Sequence, residues 1–330
     1  MTEMRIIAGS GRSGTTWVQD ALATANRLRP IFEPLHPHVS EIGNRYAHRA
    51  LGSEDDHPEL ASFLIDVCAG RRNRLWTQFR RQRRWLLPPL DEFKTLQNAG
   101  RFYRRWGKFL KELPRLALAG RRGDPLIKCI RANLMLGWLS RRCSCRIVLI
   151  VRHPGAVIES ELRGGWSAQF ALDSFRRDAR LSELTGDRYR ALLERKLTAI
   201  EALTARWVIE NQWVTECAAA NGVTVVYYEH LRSAPSREWE RIRRSLGLPM
   251  TPPATILARP SQQSSPMLSD VATETTRRPR WLQVLMPAQV RQIQDVLDEV
   301  RVDFYTMNDP EPMTPAAPKA AQSSESIASQ

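Results

Sequence analysis

Apolar positions along the chain fall into a few short continuous runs separated by amphipathic stretches. Met4 to Ala8, Leu126 to Ile130, Arg146 to Val151 and Val223 to Tyr228 each read as strands buried on both faces, as in the centre of a parallel sheet. A helix is expected from near Gly14, and further helices over roughly 155–163, 187–220, 235–246 and 287–300. Strands alternating with helices predict an α/β fold, a parallel sheet flanked by helices. From about Asn308 the chain is rich in Pro, Ala, Ser and Gln, so 1–307 is expected to form the domain and 308–330 a disordered tail. The Ser/Thr-rich stretch 260–276 reads as a loop, either an active-site loop or an inert one.

Composition changes this picture in one place. The net charge is +14, yet residues 71–122 hold sixteen Lys or Arg against three acids, which leaves the rest nearly neutral. In this insertion Phe102, Tyr103, Trp106, Phe109, Leu110 and Leu113 recur at helical spacing. A basic amphipathic hairpin over 71–116 suits peripheral contact with an anionic membrane or an acidic glycan, and equally a helical lid with solvated arginines. No apolar run is long enough to span a bilayer, and the first strand begins almost at once. A cytoplasmic protein is expected, if membrane-associated then at the inner face. The five cysteines show no framework spacing, and no cluster of Cys and His suggests a metal.

The chemistry is concentrated after the first strand, in Gly9-Ser-Gly-Arg-Ser-Gly-Thr-Thr-Trp17. Successive amides of such a loop, opening a helix, cradle an anion. Gly9, Gly14 and Thr16 match the spacing of a nucleotide triphosphate loop, but Thr15 stands where its lysine belongs. The positive charge lies instead at Arg12. A second anion motif follows the third long run: Arg152-His-Pro-Gly-Ala-Val-Ile-Glu-Ser160, with Pro154 suited to the first turn of a helix.

Gly11, Arg12, Ser13, Gly14, Thr15, Thr16 and Trp17 closely resemble the 5′-phosphosulfate loop of sulfotransferases that use 3′-phosphoadenosine-5′-phosphosulfate (PAPS). Arg152 and Ser160 resemble that family's 3′-phosphate motif. Phe32-Glu33-Pro34-Leu35 is similar to the segment that carries a catalytic glutamate in carbohydrate-type members. Lys128-Cys-Ile-Arg131 and Tyr227-Tyr-Glu-His-Leu231 add weaker matches. The resemblance implies a P-loop-like sulfotransferase fold and PAPS as donor, with 3′-phosphoadenosine-5′-phosphate (PAP) as product and no metal. The acceptor would be a hydroxyl compound, a saccharide or glycolipid. By the same resemblance Arg12 would stabilise charge on the leaving phosphate, and Trp17 would pack on adenine. Glu33 would act as base, its pKa raised by partial burial, with His36 the runner-up. Two other readings stand beside this one. A nucleotide kinase or NTPase accounts for the loop alone, and a nucleic-acid-binding protein for the basic insertion alone.

Overall fold

The computed structural model describes residues 3–38, 40–72, 123–258 and 279–313. Nearly all of the basic insertion, the 260–276 loop and the tail beyond Met313 lie outside the described residues. Among the described residues, five parallel strands form one sheet in the order β2-β3-β1-β4-β5. They are β1 (Arg5–Gly9), β2 (Arg29–Phe32), β3 (Pro125–Cys129), β4 (Arg146–Val151) and β5 (Val223–Tyr227). The expected α/β class and flanked parallel sheet are what the structure has.

The side-chain alternation of a strand explains why the expected runs are continuously apolar. On one face, Ile7, Leu126, Val148, Ile150 and Val226 pack with Val18 and Leu22 of α1 (Thr15–Asn26) and with Trp239 and Ile242 of the helix Pro235–Ser245. On the other, Ile6, Ala8, Ile127, Ile147, Leu149 and Val151 pack against α2 (Pro154–Arg163), α3 (Ala199–Glu216) and α4 (Pro287–Glu299). Both sheet faces are therefore covered.

Three differences from the expected elements have local causes. The stretch 187–220 is not one helix but Arg190–Glu194 followed by α3, because Thr198 and Glu201 form a reciprocal capping box that starts a new helix. β2 is a four-residue edge strand containing Pro30, whose missing N–H costs least at an edge. Residues 308–313, expected within the tail, turn back onto the domain: Asp309 O accepts from the His153 ring, and Met313 N–H donates to Phe304 O.

The strand order reverses around β1, between β3 and β4, the kind of switch point at which open parallel sheets form a ligand crevice at the carboxyl ends of their strands. Glu33, Arg131, the loop after Gly9, Arg152 and Tyr228 all follow directly from strand ends on this edge.

Candidate active site

The phosphate loop is rooted from below by buried amides. Gly9 N–H donates to Asn133 Oδ1 over 3.1 Å, and Asn133 Nδ2 donates to Glu210 O in α3. Asn211 Nδ2 donates to Ser10 Oγ over 2.7 Å, while Ser13 Oγ closes the turn onto Ser10 O. Gly9 has φ 146°, and a Cβ there would lie 2.4 Å from Ile150 O. Gly14, at φ 87°, presses on the Tyr228 ring and begins α1 with no side-chain cap. The N-terminus of α1 follows straight from the loop, and the positive end of its dipole favours an anion there. Thr15 and Thr16 in that turn are buried.

Arg12 takes a left-handed backbone, φ 64°, and its Nε donates to Ser160 Oγ over 2.8 Å. Arg152 Nη1 donates to Arg12 O over 3.0 Å, and its guanidinium lies 4.5 Å over the Tyr228 ring. The structure thus brings the loop and the 152–160 motif into one site. Burial, then the neighbouring Arg163 and Arg152, lower the Arg12 pKa from its ordinary value. Crowded cations of this kind are relieved by an anion. Arg152 Nε is buried and has no hydrogen-bond partner among the described residues. Such an orphaned donor fits a phosphate oxygen.

His153 is not in the crevice. It caps α2, with Nδ1 accepting from Gly155 N–H, and stacks on Trp281 at 4.4 Å. Trp17 is half-buried and meets Trp239 and Tyr228 edge-on, at 5.3 and 6.1 Å between ring centroids. His36 accepts from His38 N–H within its own loop.

Glu33 lies at the end of β2 with φ 49° and is 1% exposed. Lys128 Nζ sits 2.5 Å from Oε1, Arg131 Nη1 sits 2.9 Å from Oε2, and Ile130 N–H donates to the same carboxylate. The expected upward pKa shift is corrected here. Burial does push the carboxyl up, but the charges of Lys128 and Arg131 together with the hydrogen bonds outweigh it, and the net shift is down. Arg12 and Glu33 are both non-glycine residues at positive φ, a strain of about 1–2 kcal/mol apiece that tertiary structure must hold.

Several site residues carry no motif. Asn133 and Asn211 hold the loop. Glu161 and Trp166 meet the opposite side of Gly11, where a Cβ would lie 2.6 Å from Trp166 Cζ3 and 3.1 Å from Glu161 Oε1. Behind them Arg206 of α3 pairs with Glu161 and Glu210, and Glu210 with His48. Only the three-dimensional crossing of α2, α3 and the loop reveals these contacts.

Among solved structures, the chain is similar to the sulfotransferase domain from the curacin biosynthetic pathway, at 14% identity and TM-score 0.43, covering 92% of this chain and 99% of that one. It is also similar to the sulfotransferase domain of the Synechococcus PCC 7002 olefin synthase, at 17% identity and TM-score 0.39, covering 91% and 95%. A sulfotransferase from Alicyclobacillus acidocaldarius matches at 12% identity and TM-score 0.33, covering 90% and 96%. No curated protein matches the sequence significantly. The family model described as "Sulfotransferase family" matches residues 6–252, three quarters of the chain and every site residue described above, and the chain belongs to the sulfotransferase family.

Proposed function

We propose that this protein transfers the sulfuryl group of PAPS to an acceptor hydroxyl, releasing PAP. The observation that carries the reading is the meeting of two anion motifs in one crevice. Arg12 and Ser160 touch, and Arg152 braces the loop from the end of β4. A donor with phosphates at both 5′ and 3′ positions needs two such motifs, whereas a nucleoside triphosphate needs the lysine that Thr15 replaces.

Sulfuryl transfer, like phosphoryl transfer, asks the protein mainly for positioning and charge stabilisation. Gly11 to Thr16 would hold the 5′-phosphosulfate, and Arg12 would meet charge developing on the leaving phosphate. Arg152 and Ser160 would hold the 3′-phosphate, and Trp17 would flank the adenine. Glu33 is the proposed proton acceptor. Its two ion pairs keep it ionised, so it accepts a proton only as the attacking hydroxyl becomes acidic in the transition state. The similarity of Phe32-Glu33-Pro34-Leu35 to carbohydrate-type members supports a saccharide or glycolipid acceptor. The basic composition of 71–116 supports contact with an anionic surface.

Calorimetric titration with PAP and, in parallel, with ATP and Mg²⁺ tests the donor. Micromolar PAP binding that weakens in Arg152→Ala supports the reading, and preference for ATP overturns it.

A further inference from the structure

Beneath the phosphate loop lies a buried set of ionisable groups that no sulfuryl-transfer step uses. Glu161, on α2, is fully buried and Glu210, on α3, is 2% exposed. Both turn to the same cation, Arg206 of α3: Glu161 Oε1 makes a short ion pair with Arg206 Nη2, and Glu210 Oε1 lies 3.9 Å from Arg206 Nε. His48 Nδ1 sits 3.2 Å from Glu210 Oε1, and burial lowers the His48 pKa, so the imidazole stays neutral at pH 7. Two carboxylates thus share one guanidinium. With both ionised, the cluster carries an excess negative charge directly against the loop.

The position of that charge is specific. Glu161 Oε1 lies at Gly11, on the side a Cβ would occupy, and Arg12 is the loop cation whose field it feels. Glu161 Oε2 is buried with no hydrogen-bond partner among the described residues. A lone buried carboxylate oxygen is costly, and a proton on it removes the charge. Filling the loop with a multiply charged phosphate raises that cost, because like charges close together cannot both stay ionised.

Resting on the proposed donor site, we infer that Glu161 is a positioning residue beneath the phosphate loop that takes up one proton when the loop is filled. Its protonated form leaves Arg206 to Glu210 and removes the repulsion under Gly11. The groups facing it are Arg206 and Glu210 from α3 and Arg12 from the loop, while Glu159 and Arg163 on its own helix pair with each other. Burial pushes the Glu161 carboxyl up to about 7, with Glu210 adding to the rise and Arg206 and Arg12 opposing it, so modest further repulsion suffices near neutral pH.

The test is PAP titration at pH 8 in buffers of different ionisation enthalpy, where the probe's own phosphates, with second pKa near 6, are fully ionised. The wild-type protein should take up about half to one proton per PAP bound, and its Kd should rise up to about tenfold per pH unit between 8 and 9. Glu161→Gln should bind PAP with no proton uptake and with a flat pH profile, while Glu210→Gln, which leaves Arg206 to Glu161 alone, should lessen the uptake. A difference infrared spectrum of the wild-type protein should gain a protonated-carboxyl band on adding PAP, which needs no variant to fold. Uptake that survives in Glu161→Gln overturns the assignment. PAP binding without proton uptake overturns this inference alone; failure of the wild-type protein to bind PAP overturns the donor reading as well.

Discussion

Arg12 Nε donates to Ser160 Oγ over 2.8 Å, joining the phosphate loop to the middle of α2 across 148 residues of sequence. The two side chains belong to motifs expected to contact opposite ends of one donor, so their separate contributions are measurable with ligands that carry one end or both.

Ser160→Ala should weaken PAP about ten- to a hundredfold, the worth of a hydrogen bond to a charged group, while leaving adenosine 5′-monophosphate almost unaffected. Arg12→Ala should weaken both ligands and lower kcat about 10²- to 10³-fold, as removal of a transition-state donor does. Calorimetry with the two ligands separates these cases. Equal losses of both ligands in Ser160→Ala would remove that residue from the 3′-phosphate site.

A second prediction concerns the acid cluster at the end of β2. Glu33→Ala leaves Lys128 and Arg131 facing each other at a buried site and should cost about 3–5 kcal/mol. Because the folded-state carboxyl is held below its ordinary value, its stabilisation is fully present above the unfolded value of about 4.3. It is lost as pH falls through the folded value. Urea unfolding between pH 6 and 3 should therefore show a steeper acid loss in wild type than in Glu33→Gln. Parallel curves would mean that the ion pairs do not hold the proton off Glu33.

What was legible in the sequence was whatever repeats a local rule. Arg146–Val151 announces itself because a strand covered on both faces must be apolar at every position, and the loop because Gly9 and Gly14 meet backbone constraints only glycine relieves. β2 was hidden: four residues with an Arg and a Pro have no periodicity, and pairing with β3 alone makes them a strand. The break before α3 was legible in principle, since Thr198-Ala-Ile-Glu201 is a capping box. The direction of the Glu33 pKa was not. It depends on Lys128, 95 positions away, entering through the β2–β3 register that sets Phe32 beside Lys128. Glu161, Asn133 and Asn211 support the loop through helix crossings, and no local pattern marks a crossing.

Gly9→Ala offers a test of the loop as a backbone device. The new Cβ would lie 2.4 Å from Ile150 O and 2.9 Å from Ser13 Oγ, at a φ of 146° that L-residues rarely adopt. Neither the β4 carbonyl nor the turn can move without disturbing the centre of the sheet. The substitution should cost about 3 kcal/mol or more, within the range for strain at a special backbone position. Thermal unfolding reads the loss, and a Tm within 1–2 °C of wild type would show that the loop tolerates a side chain there.

The last prediction rests on His153, which ties the C-terminal segment to the start of α2. Nδ1 accepts from Gly155 N–H, so the ring proton is on Nε2, within 3.1 Å of both Thr306 O and Asp309 O. A second proton has no acceptor at Nδ1. Burial, opposed by the two carbonyls and reinforced by Arg152, brings the folded-state pKa down to about 4. An unfolded histidine titrates near 6.5, so the folded state is the one that resists protonation. The stabilisation is fully present above about pH 6.5 and is lost as pH falls from there towards 4; at pH 5 the loss is on the order of 2 kcal/mol. His48, also lowered, contributes to the same window, so the diagnostic is the difference between wild type and His153→Asn, which can cap α2 without titrating. Urea unfolding at pH 7.5 and pH 5 should show wild type losing that much more than the variant. An equal loss in both would mean that His153 is protonated in the folded protein at pH 5, and that the contact with residues 306–309 survives the charge.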